Sequence, residues 1–322
     1  MGAEVERDLG ALVPPIAVHA AAPATMAAAW TMLRAVVVEP GLVDRTTKEA
    51  VATAVAHGNG CLGCEELHLT ALESLNRRRV DSELSTLADQ RVRRVTEWAR
   101  SAGLRDTGER RPFADSQVPE LVGTVVVSHY LNRMATVLSD DVSIVQRISV
   151  RAPGVGREWL PAGELPADLG WARGRPSVAA AFGRAAGVLG RGVPESVRAV
   201  VSGRLAGWRG EVPEGDSWLG GALGGLVDGE VAVGRLALLT AIAPGAVDAV
   251  LVDVVRERWG ARVLVEVAGW AAFAAARRVG GWLGVGVGGA GSHGEAKIIP
   301  FRRPPARRRE LMSGTEQRQA EI

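Results

Sequence analysis

The chain lacks the features that mark several common protein classes. Two cysteines in 322 residues exclude the disulfide framework that stabilises small secreted domains. The formal net charge is only +2, so no global positive field favours nucleic acid or an anionic membrane, and neither is predicted as a partner. Lysine is almost absent, with Lys48 and Lys297 as its two occurrences.

Targeting signals and long apolar runs are also missing. Three acidic residues fall within the first eight, and no apolar segment follows a basic start, so no secretory signal is predicted. The most apolar stretch, residues 263–283, is interrupted by one glutamate and two arginines. A membrane-spanning helix needs about 20 predominantly apolar residues. We therefore expect a cytoplasmic protein.

Apolar residues recur at intervals of three and four along most of the chain, which is the period of an amphipathic α-helix. Short strand-like runs such as residues 125–127 lie inside these longer patterns. The predicted helical segments are residues 26–38, 47–57, 61–75, 84–102, 119–138, 177–189, 194–208, 234–243, 246–258 and 262–283. The pattern predicts an all-α protein.

Changes in composition divide the chain into four parts, because one stretch near the middle is rich in Pro, Gly and Trp and the end is basic and polar. The predicted parts are a catalytic helical domain (1–150), a linker (151–176), a second helical domain (177–290) and a disordered basic tail (291–322). Weak matches between the halves, such as residues 27–30 with 179–182, suggest two tandem units. The second unit has no cysteine pair and is predicted to be degenerate.

Cys61 and Cys64 are separated by two residues, and His68 follows. A disulfide between such near neighbours closes a tiny loop and removes little entropy from the unfolded chain, so chemistry explains the pair better than structural bracing. A Gly-Asn-Gly turn at residues 58–60 ends the preceding helix. Both cysteines are then expected in the first turn of the next helix, where unpaired N–H groups favour a thiolate.

The positions of these residues suggest how the chemistry is divided. Cys64 and His68 are four residues apart and lie on one helix face, where the imidazole can take the thiol proton and activate Cys64 as a nucleophile. Attack on a peroxide O–O bond would give a sulfenic acid at Cys64. Cys61 can condense that group to a disulfide. The sequence therefore indicates a redox-active dithiol on a helical scaffold.

Glu49, Cys61, Cys64 and His68 follow the pattern Glu, eleven residues, Cys-x-x-Cys-x-x-x-His. This pattern resembles the alkylhydroperoxidase D (AhpD) branch of the carboxymuconolactone decarboxylase-like family. The resemblance implies a helical bundle, homo-oligomerisation and hydroperoxide reduction, with Cys64 peroxidatic, Cys61 resolving, and Glu49 and His68 as a proton relay. It also implies an external dithiol reductant of the dihydrolipoamide type or an adaptor protein; no bound cofactor is predicted. Family members can carry a further histidine where this chain has Gly63, so the relay here is expected to be shorter.

Other interpretations of these residues stay open. Thr46 and Glu49 fit a capping box, and His57 fits a histidine that balances a helix dipole. His129, in a segment that resembles family relatives, also fits a core histidine, and the glycines at residues 284–289 fit a linker better than a dinucleotide loop. Zinc would accept two cysteines and two histidines, but structural zinc sites usually place their ligand pairs on separated elements. These four lie within twelve residues, and no metal is predicted: His57, Cys61, Cys64 and His68.

Three functions fit the sequence. The favoured one is a thiol-dependent hydroperoxide reductase, a peroxidase that cycles between dithiol and disulfide. The second is a decarboxylase that acts on a lactone-type acid, for which a cysteine pair is not expected to be necessary. The third is a non-catalytic redox sensor whose disulfide changes an interface. Sustained turnover of peroxide would separate the first from the third.

Overall fold

A computed structural model describes residues 1–76, 85–105, 107, 110–138 and 159–284, without the side chains of residues 85–89. The predicted disordered tail at 291–322 and the first part of the predicted linker lie outside these residues. All regular elements within the described ranges are helical, so the all-α prediction is confirmed. No helix among the described residues has the length and apolar character needed to cross a membrane.

Twelve α-helices lie in the described ranges, with shorter helical turns between them. They are α1 (Gly2–Leu9), α2 (Pro14–Ala17), α3 (Pro23–Leu33), α4 (Arg45–Gly58), α5 (Leu62–Asn76), α6 (Ser85–Ser101), α7 (Val118–Leu138), α8 (Pro176–Val188), α9 (Glu195–Gly207), α10 (Ser217–Leu223), α11 (Val231–Ile242) and α12 (Ala249–Gly284). A π-helical turn (Arg34–Val38) continues α3, and 3₁₀ turns cover Asp115–Gln117, Ala167–Gly174 and Pro244–Ala246.

Helix α7 is the centre of the fold. Its apolar residues go all the way round the helix, which predicts burial on every side, and nearly all its residues from Val118 to Val137 are buried. It packs against α12 on one side and α4 on another. The strand-like valine run at residues 125–127 is therefore part of a buried helix.

Helix α12 is two helical segments that meet at Gly260, whose φ of 89° and ψ of 157° are not helical. A positive φ is readily adopted only by glycine. The break agrees with the two separate segments predicted for this region. Near the end of α12, Gly280 approaches Val126 of α7 and leaves no room for a β-carbon, which allows the two helices to pack closely.

The described residues from both halves of the sequence belong to one compact unit, and the contact between α7 and α12 lies in its core. Part of the predicted linker forms the 3₁₀ turn Ala167–Gly174, in which Leu169 and Trp171 are buried. The division into two tandem domains stays a prediction.

Candidate active site

Cys61 and Cys64 are joined by a disulfide, with their α-carbons 5.3 Å apart. Cys61 directly precedes α5, and Cys64 is the third residue of that helix. The two residues are only 6% and 1% exposed, and they cluster with Ala56 of α4 and Ala135 of α7. The structure therefore places the oxidised form of the pair in a small apolar seat formed by three helices.

The backbone of Cys61 connects the end of one helix to the start of the next. Its N–H donates to the carbonyl of Ala56 at 3.0 Å, and its carbonyl accepts from the N–H of Glu65 at 2.9 Å. Gly60 has a φ of 67° and makes the turn between α4 and α5. Cys64 consequently lies in the first turn of α5, where the unpaired N–H groups and the helix dipole favour an anion.

Glu49 of α4 and His68 of α5 are brought together, although nineteen residues separate them. His68 Nδ1 lies 2.6 Å from Glu49 Oε2. A carboxylate only accepts hydrogen bonds, so Nδ1 carries the proton and Nε2 is left as the basic nitrogen. No hydrogen bond joins His68 to a sulfur in the described part of the chain. His68 and Cys64 share α5, one helical turn apart.

Arg45 holds the other oxygen of the same carboxylate, an interaction that the sequence reasoning missed. Its Nε and Nη2 both lie 2.6 Å from Glu49 Oε1. Burial alone would raise the pKa of Glu49, but the charge of Arg45 and the hydrogen bond and charge of His68 lower it to about 2. Glu49 is therefore a carboxylate at neutral pH. The available signal was the spacing of four residues, which places Arg45 and Glu49 on one helix face.

The capping interpretation of Glu49 is wrong. Asp44 is the N-cap of α4, and its side chain accepts hydrogen bonds from the N–H of Thr47 at 2.9 Å and from its hydroxyl at 2.7 Å. The carboxylate of Glu49 is bound by Arg45 and His68 instead. Asp44, and not Thr46 with Glu49, therefore caps α4.

His57 does not join the contacts of the disulfide. Its ring is 48% exposed, and Nδ1 lies 3.1 Å from Glu65 Oε1. A zinc site on His57, His68 and the two cysteines would need free thiolates, but here the sulfurs are bonded to each other. Each of the two imidazoles binds a different glutamate.

His129 has the environment of a core histidine. It is 2% exposed, and its Nδ1 lies 3.1 Å from Nη1 of Arg133. Burial, and then the charge of Arg133, lower the pKa of His129 well below its ordinary value. Arg133 also donates to the carbonyl of Ala241 at 3.2 Å and lies over the ring of Trp208. The pair therefore connects α7 with helices of the second half.

A second charged cluster, which the sequence reasoning also missed, lies at the start of α4, next to Arg45 and Glu49. Lys48 and Glu120 are each 1% exposed and lie 2.8 Å apart, and Arg175 binds the same carboxylate at 2.5 Å. The backbone N–H groups of Leu42 and Val43 complete its hydrogen bonds at 2.8 and 3.2 Å. This cluster fixes the segment that leads into α4.

Burial lowers the pKa of Lys48 even though Glu120 raises it. For Glu120 burial acts in the opposite direction and would raise the pKa, but the hydrogen bonds from Lys48 and from the backbone lower it. The one hint in the sequence was the rarity of lysine, since Lys48 is one of only two lysines among many arginines.

Comparison with known proteins gives two matches. The profile of the carboxymuconolactone decarboxylase family matches residues 23–92, a range that contains Glu49, both cysteines and His68. A protein of Mycobacterium tuberculosis (strain ATCC 25618 / H37Rv) named alkyl hydroperoxide reductase is 31% identical over 317 residues, covering 89% of this chain and 91% of that protein. No solved structure matches the chain.

Proposed function

The chain belongs to the carboxymuconolactone decarboxylase family, and on that premise we propose that it is a thiol-dependent hydroperoxide reductase. The observation that carries the proposal is the Cys61–Cys64 disulfide at the start of α5, the helix that also carries His68, whose ring lies against Glu49 of α4. A dithiol, a thiolate-stabilising helix terminus and a base on the same helix are what thiol peroxidase chemistry needs. The name of the mycobacterial relative supports the same activity.

The reaction begins with the reduced pair. His68 Nε2 takes the proton from the Cys64 thiol, and the thiolate attacks one oxygen of the peroxide O–O bond. An S–O bond forms as the O–O bond breaks, and the alkoxide leaves as an alcohol after taking a proton. The thiol of Cys61 then attacks the Cys64 sulfur, which forms the disulfide and releases water. Two electrons pass from the dithiol to the peroxide in each cycle.

Cys64 is assigned as the peroxidatic residue because of its place on α5. It lies four residues before His68 and in the first turn of the helix, so both a base and the helix dipole can act on it. Cys61 lies one position outside the helix and is the more exposed of the two. It is therefore the better placed to resolve the sulfenic acid and to meet a reductant.

The cycle needs an electron donor. An external dithiol of the dihydrolipoamide type, or an adaptor protein that carries such a group, would restore the thiols by thiol–disulfide exchange. We propose no bound cofactor, a cytoplasmic location and a homo-oligomeric assembly, all from the family resemblance and the sequence.

Purified protein tests the proposal directly. With an organic hydroperoxide and dihydrolipoamide it should consume peroxide over many turnovers. The variant Cys64→Ser should consume none. Without the dithiol donor, Cys61→Ser should reduce about one equivalent and then stop, since the sulfenic acid at Cys64 has no thiol with which to condense. Glu66→Gln, which changes an exposed glutamate on the same helix, is the matched control and should keep full activity. Full turnover by Cys64→Ser would refute the assignment.

A decarboxylase is the second candidate, because the matched family profile carries that name. The disulfide counts against it, since decarboxylation of a lactone-type acid has no step for a dithiol. Decarboxylation that survives alkylation of both thiols would favour this candidate. A disulfide that forms stoichiometrically, without sustained peroxide consumption, would favour a redox sensor.

A further inference from the structure

We propose that Arg45 is a positioning residue that keeps Glu49 a permanent carboxylate, so that the proton taken from Cys64 stays on His68. In a full relay, the Nδ1 proton of His68 would move on to Glu49 as Nε2 accepts the thiol proton. The structure assigns Glu49 the narrower task of a fixed anion that orients the ring. The catalytic meaning of this inference rests on the proposed function, but the state of Glu49 can be tested without peroxide.

Both oxygens of Glu49 are already occupied. Arg45 directs Nε and Nη2 at Oε1, and His68 Nδ1 lies against Oε2. Hydrogen bonds from charged donors to a carboxylate are the strong ones, and a proton on Glu49 would weaken both. Glu49 is also 2% exposed, so water cannot replace a lost partner. The arrangement opposes proton transfer to Glu49.

Helix stability does not explain Arg45. It is the first residue of α4, where the positive end of the helix dipole disfavours a cation. A basic residue placed four positions before an acidic one is also the weaker order for a helical ion pair. Arg45 therefore occupies a position at which α4 by itself disfavours a cation. The favourable interaction that Arg45 makes there is its ion pair with Glu49.

The other charged groups described on the elements around α4 do not pair with Glu49, which binds Arg45 and His68. On α5, Glu65 binds His57 and Glu66 is exposed; on α4 itself, Lys48 binds Glu120 of α7. His129 and Arg133 of α7 bind each other, and Arg34 of the π-helical turn binds Glu39 and Asp8. The described charged side chains of α6 make no ion pair with Glu49 or His68: Arg91, Arg93, Arg94, Glu97 and Arg100. Arg45 and His68 are thus the cations that act on Glu49 by contact.

The decisive measurement is the titration of the Glu49 carboxyl by carbon-13 NMR in the full chain labelled at glutamate, with the signal assigned by its loss in Glu49→Gln. In the wild type we expect no titration of Glu49 down to about pH 4, where a carboxyl with a pKa of about 2 is about 1% protonated. In Arg45→Gln the inflection should move upward, because burial then acts with only His68 opposing it.

Two variants separate charge from packing. Arg45→Lys keeps the positive charge and should restore the silent titration of Glu49. Arg175→Gln removes an arginine from a different buried carboxylate, that of Glu120, and should leave the Glu49 titration unchanged. If Arg45→Gln does not fold, the wild-type titration decides alone, since an inflection above about pH 4 overturns the inference.

The pH profile of peroxide reduction gives the catalytic readout. We expect kcat/KM of Arg45→Gln to fall further on acidification than that of the wild type, by about twofold at the pH of the variant's own Glu49 inflection, where half of the molecules carry a neutral Glu49. Identical profiles, with a Glu49 that titrates alike in both proteins, would overturn the positioning role. If Glu49 behaves as expected but the wild type reduces no hydroperoxide, the proposed function fails while the assignment of Arg45 stands.

Discussion

The Lys48–Glu120–Arg175 cluster predicts that two substitutions in one ion pair have very different costs. Glu120→Met leaves the ammonium of Lys48, 1% exposed, without its carboxylate, and it leaves the N–H groups of Leu42 and Val43 without their acceptor. Breaking a buried ion pair from one side costs about 3–5 kcal/mol. Each orphaned N–H adds roughly 1 kcal/mol or more. The loss is about 5–7 kcal/mol, a large part of the total stability of an ordinary domain.

Lys48→Met should cost much less. Glu120 keeps Arg175 and both backbone N–H groups, so no buried charge is left unpaired. The lost hydrogen bond from Lys48 to the carbonyl of Glu39 and the lost ion pair should together cost about 2 kcal/mol, since methionine fills a similar volume. Urea unfolding followed by tryptophan fluorescence should therefore rank the wild type first, Lys48→Met second and Glu120→Met last.

The pH dependence of Glu120→Met supplies a sharper test. Burial lowers the pKa of Lys48 from 10.5, and loss of Glu120 lowers it further, so the unfolded chain binds more protons than the folded one. Stability then rises with pH by up to about 1.4 kcal/mol per unit between the folded pKa and the unfolded one. Lys48→Met has no such group and serves as the control. Equal stability of the two variants, with parallel pH profiles, would refute the reasoning.

Three further predictions follow from other contacts. Glu49→Gln should remove a stability contribution of about 3 kcal/mol, which the carboxylate makes above the unfolded pKa of 4.5. This contribution should fall by about 2 kcal/mol between pH 7 and pH 3 in the wild type. Urea midpoints of the two proteins that run parallel over that range would contradict the prediction. Tyr130→Phe removes the 2.8 Å bond to the buried Nε2 of His19 and should lower stability by about 1–3 kcal/mol without changing peroxide turnover. Residues 1–150 expressed alone should fail to unfold cooperatively in circular dichroism, because α7 would lose its packing against α12; a cooperative transition would instead support an independent first domain.

Much of the secondary structure could be predicted because the longer helices have regular apolar spacing. Residues 47–57, 61–75 and 119–138 were all predicted as helices and lie within or close to α4, α5 and α7. Helices α1 and α10 were missed because they have only eight and seven residues, too few for a clear period. The break at Gly260 was anticipated as a gap between two segments.

The site was predictable only as far as local spacing reached. Cys64 and His68 lie one turn apart on α5, and Cys61 directly precedes that helix, so local spacing places them together. Glu49 required the family resemblance, since its contact with His68 joins two helices. The Glu120–Arg175 contact spans 55 residues, and no local pattern encodes such a pairing. Asp44 and Arg45 were overlooked because Thr46, which follows them directly, also fits the N-cap position of this helix.

The burial of the disulfide affects which molecules can reduce it. Exchange requires an incoming thiolate to approach along the line of the S–S bond, and the two cysteine residues are 6% and 1% exposed. Under the proposed function, a donor would therefore need a long, narrow thiol-bearing group as well as a sufficiently low reduction potential. Cys61, the more accessible end, is where that arm would form a mixed disulfide. The seat formed by Ala56 and Ala135 would act as a steric filter that isolates this thiol pair from bulky thiols in its surroundings.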